Sequence, residues 1–175
     1  MVTPLLAACA GNCQKACKAL LEAGASLTVS DEEENRPLHW LARHDAVELV
    51  KLALKKGAEI DGLNAQAETA LLAAVKLGKR KVAELLLKEG ATVQRDPVGS
   101  VAPTNKTACH FAMLFGAEGG DAADACAILA AILEKKPDVN AVDGEKRTAL
   151  HYVSRPAPRR RAPRGTPAVC AAHES

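Results

Sequence analysis

The chain repeats itself, and the length of the repeat limits what it can become. Slid against its own sequence, it aligns Thr3-Pro4-Leu5-Leu6, Arg36-Pro37-Leu38-His39, Thr69-Ala70-Leu71-Leu72, Thr107-Ala108-Cys109-His110 and Thr148-Ala149-Leu150-His151, at steps of 33, 33, 38 and 41 residues. In the first three units a glycine falls 21 residues after the opening position, as Gly24, Gly57 and Gly90, each behind an apolar triplet. Ala131-Ile132-Leu133 takes the triplet's place in the fourth unit, and a polar residue recurs five positions before the opening one, as Asp31, Asn64 and Asp143. This spacing predicts, in each unit, a short helix, a turn, a second helix closed by a left-handed glycine, and a polar turn onward. Neither helix can bury its apolar stripe alone. The units must therefore stack, and about three are needed before a stack is stable.

Composition agrees with packed helices. Apolar residues make up 48% of the 175 and aromatics only 2%, so the core must be built from Ala, Leu, Val and Ile. No apolar run approaches the roughly 20 residues of a membrane span, and 25% charge predicts a soluble chain. The formal charge of +2 is uneven: residues 155–175 carry five Lys/Arg against one Asp/Glu, a tail of +4, which leaves 18 against 20, a body of −2. A near-neutral body gives no reason to expect nucleic acid as the main partner. Six cysteines without a secretory leader predict a reducing intracellular compartment, cytoplasmic or nuclear.

A 33-residue period with T-P-L-H-like openings and L-L-x-x-G-A closings resembles the ankyrin repeat family, from Thr3 to about Ser154. The resemblance implies an all-α solenoid of helix-turn-helix repeats with projecting turns: about four full repeats starting near 3, 36, 69 and 107, and an unfinished fifth near 148. Against the family's pattern, Arg36 replaces the opening Thr, Glu34 and Ala67 replace a usual turn glycine, and Lys136-Pro137 replaces Gly-Ala. Pro156 and Pro158 arrive where the fifth hairpin should continue, and proline in a helix interior costs about 3 kcal/mol or more. The expected division is thus an array over 1–154 and a disordered Arg/Pro/Ala-rich tail over 155–175. Both ends of the stack are abrupt, as in a fragment or short isoform of a longer repeat protein. Unit four carries two insertions, five residues within 94–106 and eight within 117–124. The second is expected to lengthen the connection between that unit's helices, and Asp121 with Asp124 has the form of a helix start.

Nothing in the chain points to an enzyme. Nucleotide-binding glycine loops, G-x-S-x-G and H-E-x-x-H are all absent. His39, His110 and His151 occupy the fourth letter of the opening motif, and three copies in register are a structural device rather than a catalytic base. The resemblance implies that this histidine supports the turn by hydrogen bonding. Cys9, Cys13 and Cys17 lack a C-x-x-C pair or a nearby His, so no metal site is expected, nor any cofactor. Small apolar packing suits Cys9 and Cys17, while Cys13 near a helix start is the candidate reactive thiol.

The four aromatic residues carry the functional signal. Trp40, Phe111 and Tyr152 each directly follow an opening motif, and Phe115 lies one helical turn beyond Phe111. The resemblance implies that first-helix positions line a concave groove. That gives candidate partner-binding residues Trp40, Arg43 and His44 in unit two, Lys76 and Leu77 in unit three, Phe111, Leu114 and Phe115 in unit four, and Tyr152 in unit five. The acidic turn with Glu32 and Glu33, and Arg147 at the other end, would orient a bound segment. The alternative for each aromatic is a bulky side chain filling the gap between neighbouring helices. The function expected is a non-catalytic protein-binding module, an adaptor or scaffold, monomeric unless its exposed ends pair, with a protein partner. Its rivals are a regulatory array belonging to a larger enzyme or channel, and binding of nucleic acid or an acidic surface through the basic tail.

Overall fold

The computed structural model describes residues 3–93, 106–117 and 120–153. Residues 94–105, which hold nearly all of the first insertion, and residues from 154 onward, which include the expected tail over 155–175, lie outside the described residues. The elements are all helical: α1 Pro4–Ala10, α2 Gln14–Glu22, α3 Pro37–Arg43, α4 Val47–Lys55, α5 Ala70–Lys76, α6 Arg80–Lys88, α7 Ala108–Ala117, α8 Ala122–Leu133 and α9 Ala149–Val153. No strand occurs among the described residues, and no described helix is long and apolar enough to cross a membrane.

Each first helix starts where its opening motif supplies a cap. The hydroxyls of Thr3 and Thr69 accept the amides of Leu6 and Leu72, at 3.4 and 3.2 Å, and Pro4 and Pro37 occupy first-turn positions whose missing N–H costs nothing. In the units that carry histidine, the imidazole does the capping instead. Nδ1 of His39, His110 and His151 accepts the backbone N–H of Arg36, Thr107 and Thr148, each at 3.1 Å. Arg36 can therefore replace threonine without loss of the start.

The second helices end as the glycine spacing predicts. Gly24, Gly57 and Gly90 have φ of 83°, 88° and 97°, and the amides of Ala25, Ala58 and Ala91 reach back to Leu20, Ala53 and Leu86 at 2.9–3.0 Å. In unit four Lys136 takes the left-handed conformation with φ 52°, and Pro137 has no amide to make the closing bond. The turn glycines are replaced in the same way: Glu34 and Ala67 sit at φ 58° and 56°. A Cβ in this region costs about 1–2 kcal/mol, of which glycine's extra unfolded-state entropy returns part. Ala67→Gly is accordingly expected to stabilise the protein by about 0.5–1 kcal/mol, read as a higher midpoint in urea at unchanged slope.

The helices form two layers. Inner helices α1, α3, α5, α7 and α9 pack side by side in chain order, outer helices α2, α4, α6 and α8 do the same, and each outer helix packs on the inner helix of its own unit. The core lies between the layers, with Leu5, Leu38, Leu71 and Cys109 at 0–3% exposure all occupying the third letter of the opening motif. Leu150 has the same letter and is 71% exposed, since no second helix stands over α9 among the described residues.

Unit four departs from the expected lengthened connection. Its helices absorb most of the eight-residue insertion: α7 has 10 residues against 7 in α5, and α8 has 12 against 9 in α6. An alanine-rich sequence extends a helix at little cost. Asp121 does cap α8, accepting the amide of Ala123 at 2.9 Å with Asp124 in the first turn.

Hydrogen bonds stitch the layers from unit to unit. Nε2 of His39 donates to the carbonyl of Glu68, and Nε2 of His110 to that of Arg147, both at 3.0 Å, while the Asn64 side-chain amide donates to Asn35 Oδ1 at 2.9 Å. His39 must be neutral to accept at Nδ1 and donate at Nε2, and burial lowers its pKa from the ordinary imidazole value. The unfolded chain then binds the proton more readily than the folded one. Stability is full above the unfolded pKa and falls as pH drops through it toward the folded value. The midpoint of thermal unfolding should decrease from about pH 7.5 to about pH 5. That decrease should shrink in His39→Gln, which cannot titrate.

A candidate partner-binding groove

The expected partner-binding residues lie on the inner helices and in the turns that precede them. Those turns are fixed by the recurring polar residue. Asp31 Oδ1 accepts the amides of Glu33 and Asn35 at 3.0 and 2.8 Å, Asn64 Oδ1 those of Gln66 and Glu68 at 3.0 and 2.9 Å, and Asp143 Oδ1 those of Glu145 and Arg147 at 2.8 and 2.9 Å. One short side chain thus holds each turn closed.

Trp40 stands half-buried on α3, and its indole N–H donates to Asp31 Oδ2 at 2.9 Å. Burial on its own would raise the Asp31 pKa, but hydrogen bonds from Asn35, Trp40 and Glu33 outweigh it and hold the carboxyl below its ordinary value. The ring is further framed by Arg43, whose guanidinium lies 5.0 Å from its centroid, and by His44, stacked at 6.3 Å and 19°. His44 is itself placed by α1, its Nε2 lying 3.2 Å from the Ala10 carbonyl. Trp40 therefore has a fixed edge and one cation-lined face.

Phe111, half-buried on α7, has a cation from the neighbouring unit over it. The Lys76 ammonium lies 5.3 Å from the ring centroid and pairs with Glu68 at 2.5 Å. Lys106, outside the set expected from sequence, stands 5.4 Å over the Tyr152 ring, with Arg147 at 4.9 Å. The signal for it was present in the register, since Lys106 and Arg147 both immediately precede an opening threonine. A cation thus lies over each of the three motif-following aromatics.

Two expected groove residues are placed elsewhere. Tyr152 is only 3% exposed: its hydroxyl donates to Asp143 Oδ2 at 2.5 Å, accepts from Arg147 at 2.8 Å, and its ring meets His110 edge-on at 5.9 Å. Burial and the Asp143 bond push the phenol up to about 12. For Asp143 burial acts upward too, but the Tyr152 hydroxyl and the turn amides together prevail and hold the carboxyl well below the usual range. Tyr152 therefore belongs to the α7–α9 junction and offers no surface to a partner. Phe115 does not join Phe111 in an exposed cluster either. Its ring lies against Gly78, in the α5–α6 turn, and Gly120, leaving no room at either for a Cβ.

The remaining candidates lie on the surface or partly so. Glu32 and Glu33 are exposed in the turn before α3, with Glu33 Oε2 accepting from the Asn35 side chain at 3.2 Å. Leu77 is 44% exposed at the end of α5, Leu114 is half-buried on α7, and Arg147 is tied to Asp143 and Glu145. Cys9 and Cys17 are buried 3.6 Å apart, and burial raises both thiols; Cys13 is exposed at the start of α2.

Residues 5–97, more than half of the chain, match the family described as ankyrin repeats in three copies. Over 76 residues, 43% of its length, the chain is 41% identical to palmitoyltransferase ZDHHC13 of Mus musculus and 38% identical to that of Homo sapiens. Over 51 residues, 29% of its length, it is 41% identical to protein fem-1 homolog C of Xenopus laevis. The matched stretches span 12% and 8% of those proteins, a small part of their length. By its repeat register, its two-layered helices and this match, the chain belongs to the ankyrin repeat family.

Proposed function

We propose that the chain is a non-catalytic protein-interaction module, an adaptor or scaffold, that seats a partner segment in the groove formed by α3, α5 and α7. The observation that carries this reading is Trp40. A large aromatic, half-buried and held at its edge by Asp31, presents a fixed contact surface beside Arg43 and His44. A rigid aromatic loses little entropy on binding, and tryptophan and arginine dominate interface energetics. Phe111 with Lys76 extends the surface across the next two units. We place the array in residues 1–154, the basic tail in 155–175, and the protein as a monomer inside the cell, where its thiols stay reduced.

The test compares wild type with Trp40→Ala in affinity capture, after a thermal melt has shown both to be folded. Loss of the anchor should weaken partner binding by about 2 kcal/mol, roughly 30-fold. Equal capture by both proteins would remove the groove from the reading. Deleting 155–175 should leave capture and its salt dependence unchanged. A large drop in either would favour an acidic surface or nucleic acid bound by the tail.

A second reading has its own support in the similarity to ZDHHC13, a palmitoyltransferase of which the matched stretch covers 12%. The array would then serve as the recognition part of a larger enzyme, by the same groove.

A further inference from the structure

We infer that the last edge of the stack, formed by α8, α9 and the stretch between them, is a docking site for an amphipathic helix supplied by a partner protein. The helix takes the slot that an outer helix fills in units one to four. This surface is separate from the groove on α3, α5 and α7.

Large apolar side chains are concentrated on this edge. Of the five that stand exposed among the described residues, Leu133, Val139, Val142 and Leu150 lie here, and Leu77 lies elsewhere. Their equivalents in earlier units are covered. Leu133 is the third residue of its apolar triplet and is 43% exposed, whereas Leu21 and Leu87 in the same place are 1% and 2% exposed. Val139 stands four residues before Asp143 and is exposed, whereas Leu27 and Ile60, four residues before Asp31 and Asn64, pack against the core. Leu150 differs in the same way from Leu5, Leu38 and Leu71. One missing neighbour accounts for all three contrasts: an outer helix over α9 and beside α8.

The chain itself shows what fits that slot. α4 buries Leu49, Val50 and Ala53, and α6 buries Val82, Ala83 and Leu86 at the matching positions, each within a helix of nine residues. The occupant is thus a short helix with apolar residues at i, i+1 and i+4 and polar residues on its other faces. Laying such a stripe into an apolar groove is a recurrent mode of recognition. Residues 154–175 do not match this requirement, since they hold Val169 as their one large aliphatic side chain and prolines at 156, 158, 163 and 167. A second copy of the chain has no helix to offer, because the apolar residues of its own α4 and α6 are committed to its core. A helix from another protein meets the need, and it caps an array whose last unit otherwise has one neighbour.

The probe is a fluorescent peptide with the sequence of residues 79–90, which contains α6, and the control peptide carries Val82→Asp and Leu86→Asp. Anisotropy with the full chain should show the first peptide binding at least about tenfold tighter than the control. Leu133→Asp and Leu150→Asp in the full chain should each weaken that binding at least about tenfold, while Trp40→Ala leaves it unchanged. Absence of binding, equal binding of the two peptides, or undiminished binding to both leucine variants would overturn the inference. Loss of binding in Trp40→Ala would assign the peptide to the groove and overturn it too. Self-association of the full chain in sedimentation, abolished by Leu150→Asp, would put a second copy on this edge instead. A large fall in melting temperature in Leu133→Asp and Leu150→Asp alike would show that the chain covers the edge itself, and either result would overturn docking of a partner helix.

Discussion

Leu71→Ala should lower the unfolding free energy by about 3–5 kcal/mol, while Leu150→Ala should change it by no more than about 0.5 kcal/mol. The two leucines are the same letter of the same motif, and the motif by itself would assign them the same cost, although the unfinished fifth unit already sets Leu150 apart. Leu71 is fully buried between α5 and its neighbours, so truncation removes its transfer energy and leaves a cavity in the middle of the stack. Leu150 stands 71% exposed on α9, with no second helix of its unit over it among the described residues. Urea titration of both variants beside wild type checks the pair. A cost of several kcal/mol at Leu150 would show that a segment outside the described residues covers it.

The second large effect concerns Gly78. With φ of 64° it takes a conformation costing an L-residue about 1–2 kcal/mol, and the space a Cβ would occupy is filled by the Phe115 ring. Gly78→Ala must therefore both strain the α5–α6 turn and expel a half-buried aromatic, for a total of about 2–4 kcal/mol. Gly24→Ala is the control, since φ there is 83° but nothing lies within 4 Å of the added atom. Its cost should stay near the conformational part, about 1–2 kcal/mol. In a Phe115→Ala background the cost of Gly78→Ala should fall to the same level, a coupling of about 1 kcal/mol or more in a double-mutant cycle. Additive costs would mean that the ring is free to move aside and that Phe115 is available to a partner.

Both predictions turn on side chains whose role the repeat pattern left open. Phe115 was one helical turn beyond Phe111, and that spacing places the two on neighbouring parts of one helix. It says nothing of where the preceding unit's turn lies. Because Gly78 has no side chain, the neighbouring turn accepts the ring, and the expected exposed cluster does not form. Tyr152 was equivalent to Trp40 by position, and both find an aspartate five residues before their opening motif. Trp40 remains half-buried with one polar atom engaged, while Tyr152 is enclosed by Asp143, Arg147 and His110. The difference lies in what the preceding unit brings against the ring.

The sequence by itself determined the period, the helical pairs, the capping histidines, the left-handed turns and the family, because these rest on local geometry. A cap, a glycine and an apolar stripe act within one unit, and a step of 33 residues brings each back in register. Even Glu34, Ala67 and Lys136, where glycine was expected, follow the backbone that the rest of the unit imposes. Only the tertiary structure decided which aromatics stay at the surface, that Lys76 and Lys106 lie over rings of the following unit, and that the unit-four insertion lengthens helices. Those outcomes depend on contacts between units, where one residue's exposure is set by side-chain volumes some 33 to 41 residues away. A repeated motif specifies the position of a residue in its unit, and packing against the neighbouring units decides whether that residue is core or surface.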